Sequence, residues 1–273
     1  MTRPMLLLAS AVLMLGLFSE SVVFALTAPE VQMFGVSGQH LATVSVTTGS
    51  TTYTITSSGL PDHDWQMVNP NTPLSQNHQI KILITPNVST TKGCLPMGKI
   101  GLTRTGVSLF NPLASDSRNA VEGPSAETFD SCDGHTTRHG DYHYHKLPSS
   151  CLWKNERDYF IGVAMDGYPI YGPNTTGYDT WLKTTDLDDC HGKTIGGNYR
   201  YIATVDFPYL LGCFHGEVID TKIRTSAVCG ASSSAKFAQW GGYLCSCDGA
   251  SCLTPASISM LFIIIVVMSR IWE

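Results

Sequence analysis

His143 and His145 stand two residues apart in Gly140-Asp141-Tyr142-His143-Tyr144-His145. His135 and His139 precede them, with Asp133 and Asp141 close by. In an extended strand, side chains at i and i+2 leave from the same face. The spacing therefore sets the imidazoles of His143 and His145 side by side, able to converge on one cation, with Tyr142 and Tyr144 on the other face. A loop carrying His135, His139 or Asp133 would complete such a sphere. Nitrogen-rich ligation favours zinc or copper over calcium or magnesium, which prefer oxygen shells. The competing reading is an ordinary half-buried strand whose histidines are hydrogen-bonded into a polar network.

The elements that must hold these residues read as β structure. Thr43-Val44-Ser45-Val46-Thr47 and Thr52-Tyr53-Thr54-Ile55-Thr56 alternate on either side of Gly49-Ser50 and predict a hairpin. Lys81-Ile82-Leu83-Ile84-Thr85 predicts a further short strand. Between Tyr178 and Asp189 there is room for one or two helical turns, and little else has a 3.6-residue period.

An internal repeat organises the middle of the chain. Ile100 opens IGLTRTGVSLFNP and Ile161 opens IGVAMDGYPIYGP, both of the form I-G-x4-G-x3-aromatic-x-P. Gly106 and Gly167 are the expected hairpin bends. Further on, Cys132-Asp133-Gly134-His135 faces Asp189-Cys190-His191-Gly192. Tyr142-His143-Tyr144-His145 faces Tyr199-Arg200-Tyr201-Ile202, and Pro148 to Cys151 faces Pro208 to Cys213. The expectation is a mainly β single domain of two duplicated β units, 100–151 and 161–215. Neither unit is large enough to bury a core alone, so they should pack about a pseudo-two-fold axis. Arg200 and Ile202 replace the two strand histidines in the second copy. A shared site would thus be asymmetric, with His143 and His145 from one half and His191 or His215 from the other.

Nine cysteines run through the chain. Cys132, Cys151, Cys190 and Cys213 are the disulfide candidates; bonded, they would position the neighbouring His loops, and unbonded they would be thiolate ligands. A metal-bound water with Asp133, Asp141 or Asp166 as base would make a hydrolytic site. No nucleophile elbow, His-Glu-x-x-His or phosphate loop is present to give such a mechanism a motif, so binding is preferred to catalysis.

Both chain ends are apolar. Arg3, the run Met5 to Phe18, and Val23 and Ala25 before a cleavage point read as a signal peptide over 1–25, against a retained anchor. At the other end Gly249, Ala250 and Ser251 are candidate lipid-attachment residues, followed by a spacer and an apolar tail within 252–273. A GPI signal is preferred to a short single span ending at Arg270 or to plain secretion. All three put the folded part outside the cell, its partners being a metal ion and the outer membrane leaflet. Asn87 and Asn174 head glycosylation sequons. Between the ends lie an N-terminal strand region, 26–52, a main domain, 53–217, and a Cys-rich extension, 218–251. A net charge of −5 without a Lys/Arg cluster excludes an electrostatic footprint for nucleic acid.

These stretches, with Ser58-Gly59-Leu60-Pro61-Asp62-His63, Asn69-Pro70-Asn71, Met165 to Pro173 and Leu211-Gly212-Cys213-Phe214-His215-Gly216, resemble the YHYH-domain family of exported proteins over about Tyr53 to Glu217. The resemblance implies secretion but no established reaction. Family members carry a second His-bearing Tyr-x-Tyr-His stretch where this chain has Tyr199-Arg200-Tyr201-Ile202, which argues against a second, symmetric metal site. The expected function is an exported cell-surface protein that binds zinc or copper. A metal-dependent hydrolase and a structural surface module without metal are the alternatives.

Overall fold

The computed structural model describes residues 26–220 except 94, 116–117, 125, 149–150 and 154, and not the side chains of 91–93. The leader over 1–25, Cys94, the Cys-rich extension beyond 220 and Gly249, Ala250 and Ser251 lie outside the described residues. Within them no helix is long and apolar enough to cross a membrane.

The protein is mainly β. After a short helix α1 (Ala28–Gln32), closed by a Thr27/Glu30 capping box, come three strands, β1 (Val44–Thr48), β2 (Thr52–Ser57) and β3 (His78–Leu83), in an antiparallel sheet. The first two are the hairpin expected around Gly49-Ser50, and β3 is the predicted third strand begun three residues earlier. Buried residues alternate along β2 and β3, so one face of this sheet packs inward.

Next are β4 (Val88–Gly93), β5 (Lys99–Thr103), β6 (Ser108–Phe110), β7 (Gly134–Thr136), β8 (Tyr142–Tyr144), β9 (Phe160–Ala164), β10 (Pro169–Tyr171), β11 (Gly192–Ile195), β12 (Asn198–Ile202) and β13 (Phe214–Gly216). Strands β4 and β13 form a two-stranded ribbon. The other eight form one sheet in the order β11-β12-β10-β9-β5-β6-β8-β7. Between Tyr178 and Asp189 the expected helical turns reduce to a single 3-10 turn at Thr184–Asp186.

The large sheet reads the same outward in both directions from its central β5–β9 pair. Each side has a hairpin (β5–β6, β9–β10), then a strand parallel to the hairpin's second member (β8, β12), then an antiparallel edge strand (β7, β11). The two Ile-Gly pairs meet at the centre. Ile100 and Ile161 are fully buried, and a Cβ on Gly101 or Gly162 would strike the carbonyl oxygen of Val163 or Leu102 on the facing strand. Glycine is required there because the backbones approach too closely for any side chain. Gly106 and Gly167 have φ of +87° and +93° and are the hairpin bends, as their spacing predicts.

Two disulfides occupy corresponding places, Cys132–Cys151 in the first half and Cys190–Cys213 in the second. All four candidate cysteines are thus bonded, so in this oxidised state none of them is a thiolate ligand.

Candidate metal centre

Strands β7 and β8 pair antiparallel with His135 directly opposite His143, and His145 follows β8. All three histidines are buried. Their ring nitrogens divide cleanly by role. Nδ1 of His135 faces the Thr128 carbonyl at 3.1 Å, Nδ1 of His143 faces the Asp141 carbonyl at 3.0 Å, and Nδ1 of His145 faces the Asn111 carbonyl at 2.6 Å. A carbonyl oxygen only accepts, so each Nδ1 carries a proton and donates it. In the neutral rings each Nε2 is then a bare lone pair.

Those three lone pairs point at one another. Nε2 of His143 lies 3.0 Å from Nε2 of both His135 and His145. The fourth member is Glu127, whose Oε2 lies 2.9 Å from His135 Nε2 and 3.3 Å from His145 Nε2. Burial opposes ionisation of Glu127, and only a proton on Nε2 of His135 or His145 would hold its carboxyl well below the usual carboxylate range. Burial, then the neighbouring His145 and His135, push His143 below the ordinary histidine value, so its ring stays neutral. Three converging acceptors and a carboxylate have no proton between them. Protons could fill the gaps only by making two buried imidazolium ions beside one carboxylate.

The donor set fits a divalent transition metal. Ligands on a tetrahedral zinc at about 2.0–2.1 Å stand about 3.3 Å from one another, close to the separations seen. The shell behind the ligands is built as metal sites require, with every Nδ1 bound to a main-chain carbonyl that fixes ring orientation. Phe110 stacks on His143 with centroids 3.9 Å apart, and Phe129 lies 4.9 Å from His135. These rings exclude water on their side. Glu127 has 29% of its side chain exposed against 4–9% for His135 and His145, so the cluster opens toward the carboxylate.

A second tier holds Asp141 in place. Its carboxylate receives Ser108 Oγ at 3.0 Å and lies 3.1 Å from His78 Nε2, while Lys99 Nζ lies 2.6 Å from His78 Nδ1. The three-stranded sheet is thereby tied through β3 to the carbonyl that orients His143.

The remaining expected ligands lie elsewhere. His139 accepts from Arg138 at 3.0 Å on the surface. Asp133 pairs with Lys146 at 2.5 Å in a left-handed backbone conformation, φ +64°. His191 is buried with Nδ1 on the Leu210 carbonyl at 2.9 Å and Nε2 3.0 Å from Thr184 Oγ1 and 3.2 Å from Thr204 Oγ1. His215 stacks on Tyr199 at 3.6 Å. Instead of a site shared between halves, the described residues assemble one wholly in the first half.

Strand register shows why the second half lacks it. The pair His135–His143 corresponds to Lys193–Arg200, and Gly134–Tyr144 to Gly192–Tyr201. Asp130 Oδ1 accepts from the amides of Cys132 and Gly134, as Asp188 Oδ1 does from Cys190 and Gly192. His191 is therefore the counterpart of Asp133, and both adopt positive φ. The structural register at this loop differs by one residue from the sequence pairing of Cys132 with Asp189. Lys193, Arg200 and Ile202 replace the three ligands, and the repeated aromatic that covers His143 in the first half, Phe110, has as its counterpart Tyr171, 4.1 Å beneath the Arg200 guanidinium. Two fixed cations and an aliphatic chain cannot hold a metal.

Glu127 was missed in the sequence. It lies in the long irregular connection between β6 and β7, where no period marks it, and only its proximity to His135 in the chain gave any signal.

Of the two sequons, Asn87 is exposed, with Nδ2 3.1 Å from Glu217 Oε2. Asn174 is half-buried and its Thr176 hydroxyl is hydrogen-bonded to Asp158.

Residues 79–180 match the family described as YHYH protein, the stretch that holds all four members of the cluster. No curated protein and no solved structure matches the chain.

Proposed function

We propose that this chain, matching the YHYH family over residues 79–180, is an exported protein that binds zinc or copper through His135, His143, His145 and Glu127. The observation that carries the reading is the division of ring nitrogens: three Nδ1 atoms on main-chain carbonyls, three Nε2 lone pairs converging at 3.0 Å. A cation removes the mutual repulsion of those lone pairs and gains four anionic or neutral donors already oriented, so little ordering remains to be done on binding. Two disulfides agree with an oxidising compartment. We place the domain at the outer cell surface, anchored through Gly249, Ala250 or Ser251 and glycosylated at Asn87.

Binding or sequestration is the first reading. The half-open side at Glu127 favours, as a second, a metal-dependent hydrolase in which the metal lowers the pKa of a bound water. In both, the histidines hold and orient the ion while Phe110 and Phe129 keep solvent from one side.

The test is metal content of the oxidised, dialysed protein. Wild type should retain one equivalent, and the His143→Ala/His145→Ala protein none. Absence of metal from a folded wild type that also takes up none on titration would leave only a structural role for the histidines.

A further inference from the structure

The Cys132–Cys151 disulfide lies on the other side of the same strand system and has a histidine nitrogen near both sulfurs, which among the described residues Cys190–Cys213 lacks. A ring nitrogen of His63 and the two sulfurs all lie within 4.8 Å of one another. His63 donates from Nδ1 to the Asp64 carbonyl at 2.9 Å, its Nε2 accepts from the Tyr144 hydroxyl at 2.7 Å, and its ring lies 5.8 Å from Tyr142 edge to face, so a metal bound at Nε2 would take the place of the Tyr144 hydroxyl. Tyr142 and Tyr144 are the residues that alternate with His143 along the strand. Both cysteines of the second disulfide, Cys190 and Cys213, are buried. Cys151 is exposed, whereas Cys132 is buried. A thiolate can therefore reach the first disulfide at Cys151 and would expel the Cys132 sulfur.

The geometry points to a second, redox-gated metal site, in which reduction of Cys132–Cys151 produces two thiolates that bind zinc or cuprous copper together with His63. The chemistry balances as follows. A dithiol reductant gives two electrons and two protons to the disulfide and becomes a disulfide itself, leaving two cysteine thiols. Metal binding then displaces both thiol protons, and the two sulfurs and one imidazole form the Cys-and-His donor set that soft metals prefer. The same reduction has a consequence across the strand. Cys132 and Cys151 close the segment that contains His135, His143 and His145, so opening it loosens the connection that frames the first cluster. Oxidised protein would offer the nitrogen-and-oxygen site alone, and reduced protein a thiolate site beside it.

The experiment uses the full chain, oxidised or reduced with a trialkylphosphine, which takes up oxygen from water to become its oxide. Cobalt(II) titration reads the thiolate site directly through its sulfur-to-metal charge-transfer absorption. The reduced wild type should bind one more equivalent, with that absorption, than the reduced Cys151→Ser protein, in which the other reduced cysteines are all still present. The thiolate signal attributable to this site should disappear in Cys151→Ser, and in His63→Ala or His63→Gln the extra ion should bind at least tenfold more weakly. Other cysteines of the chain remain in every variant and set the background. Equal numbers of equivalents in reduced wild type and reduced Cys151→Ser, or unchanged affinity in both His63 variants, overturn the proposal. The oxidised arm reports on the histidine–glutamate cluster independently, so failure of one site is distinguishable from failure of the other.

Discussion

His135 and His143 face each other across the β7–β8 ladder with their Nε2 atoms 3.0 Å apart. In the other half the same ladder position pairs Lys193 with Arg200. One strand geometry thus carries converging acceptors on one side of the sheet and fixed cations on the other. Any ligand that stabilises the folded state by satisfying the acceptors raises its melting temperature by mass action. At a free zinc concentration one hundred times its Kd the gain is about 2.7 kcal/mol, or about 5–10 °C for a chain of this size. Calorimetry of wild type should show that rise, and His143→Ala should abolish it; Lys193→Ala should leave it intact.

Removing His78 should be felt at the metal cluster although its side chain is not a ligand. His78→Ala strands Ser108, Asp141 and Lys99 in a partly buried network and should cost about 2–3 kcal/mol. Because the Asp141 carbonyl orients His143, metal affinity should also fall about 10-fold, the scale of lost outer-shell support. Urea unfolding of the metal-free protein and metal titration separate the two effects.

Asp130 and Asp188 make matching hydrogen bonds in unlike surroundings. Each also receives a tyrosine hydroxyl, Asp130 from Tyr142 at 2.8 Å and Asp188 from Tyr199 at 3.2 Å, but Asp130 is buried and Asp188 exposed. Water can replace a lost exposed acceptor but not a buried one. We expect Asp130→Ala to cost about 3 kcal/mol and Asp188→Ala about 1 kcal/mol in equilibrium unfolding.

Gly134 and Gly192 sit against the hydroxyls of Tyr142 and Tyr199, where an added Cβ would overlap the phenol. Gly192→Ala should destabilise by about 1–3 kcal/mol through overpacking, and the larger cavity in Gly192→Ala/Tyr199→Phe should recover part of that loss. Tm values of the three proteins decide it.

Acid should act on the second half through His191. Burial pushes its pKa down to about 4, so it is neutral in the native state, while the unfolded chain takes up a proton near pH 6.5. Its contribution is fully present above pH 6.5, declines as pH falls from 6.5 toward 4, and levels off below that. The loss approaches about 3 kcal/mol. A His191→Gln protein should be less stable at pH 7 and show a shallower decline over this window.

Much of the architecture was legible in local patterns. Thr/Val/Ile alternation marks β1 and β2, and the two glycine-bearing repeats mark the central hairpins, because period and turn chemistry are properties of neighbouring residues. The His-x-His spacing likewise puts His143 and His145 on one face. At the loop the sequence pairing sets Cys132 against Asp189, whereas the backbone hydrogen bonds set Cys132 against Cys190 and His191 at the position of Asp133, a register that side-chain types alone do not fix.

The sequence by itself determined which donors are available and that two of them share a strand face, since alternation follows from backbone stereochemistry. Tertiary structure alone decided that His135 is the third member, that Glu127 is the fourth, and that His139, His191 and His215 are not members. Convergence depends on ladder register, on the course of the connection between β6 and β7, and on which ring nitrogen each carbonyl claims. Those are long-range relationships, and no residue carries them in its type or spacing.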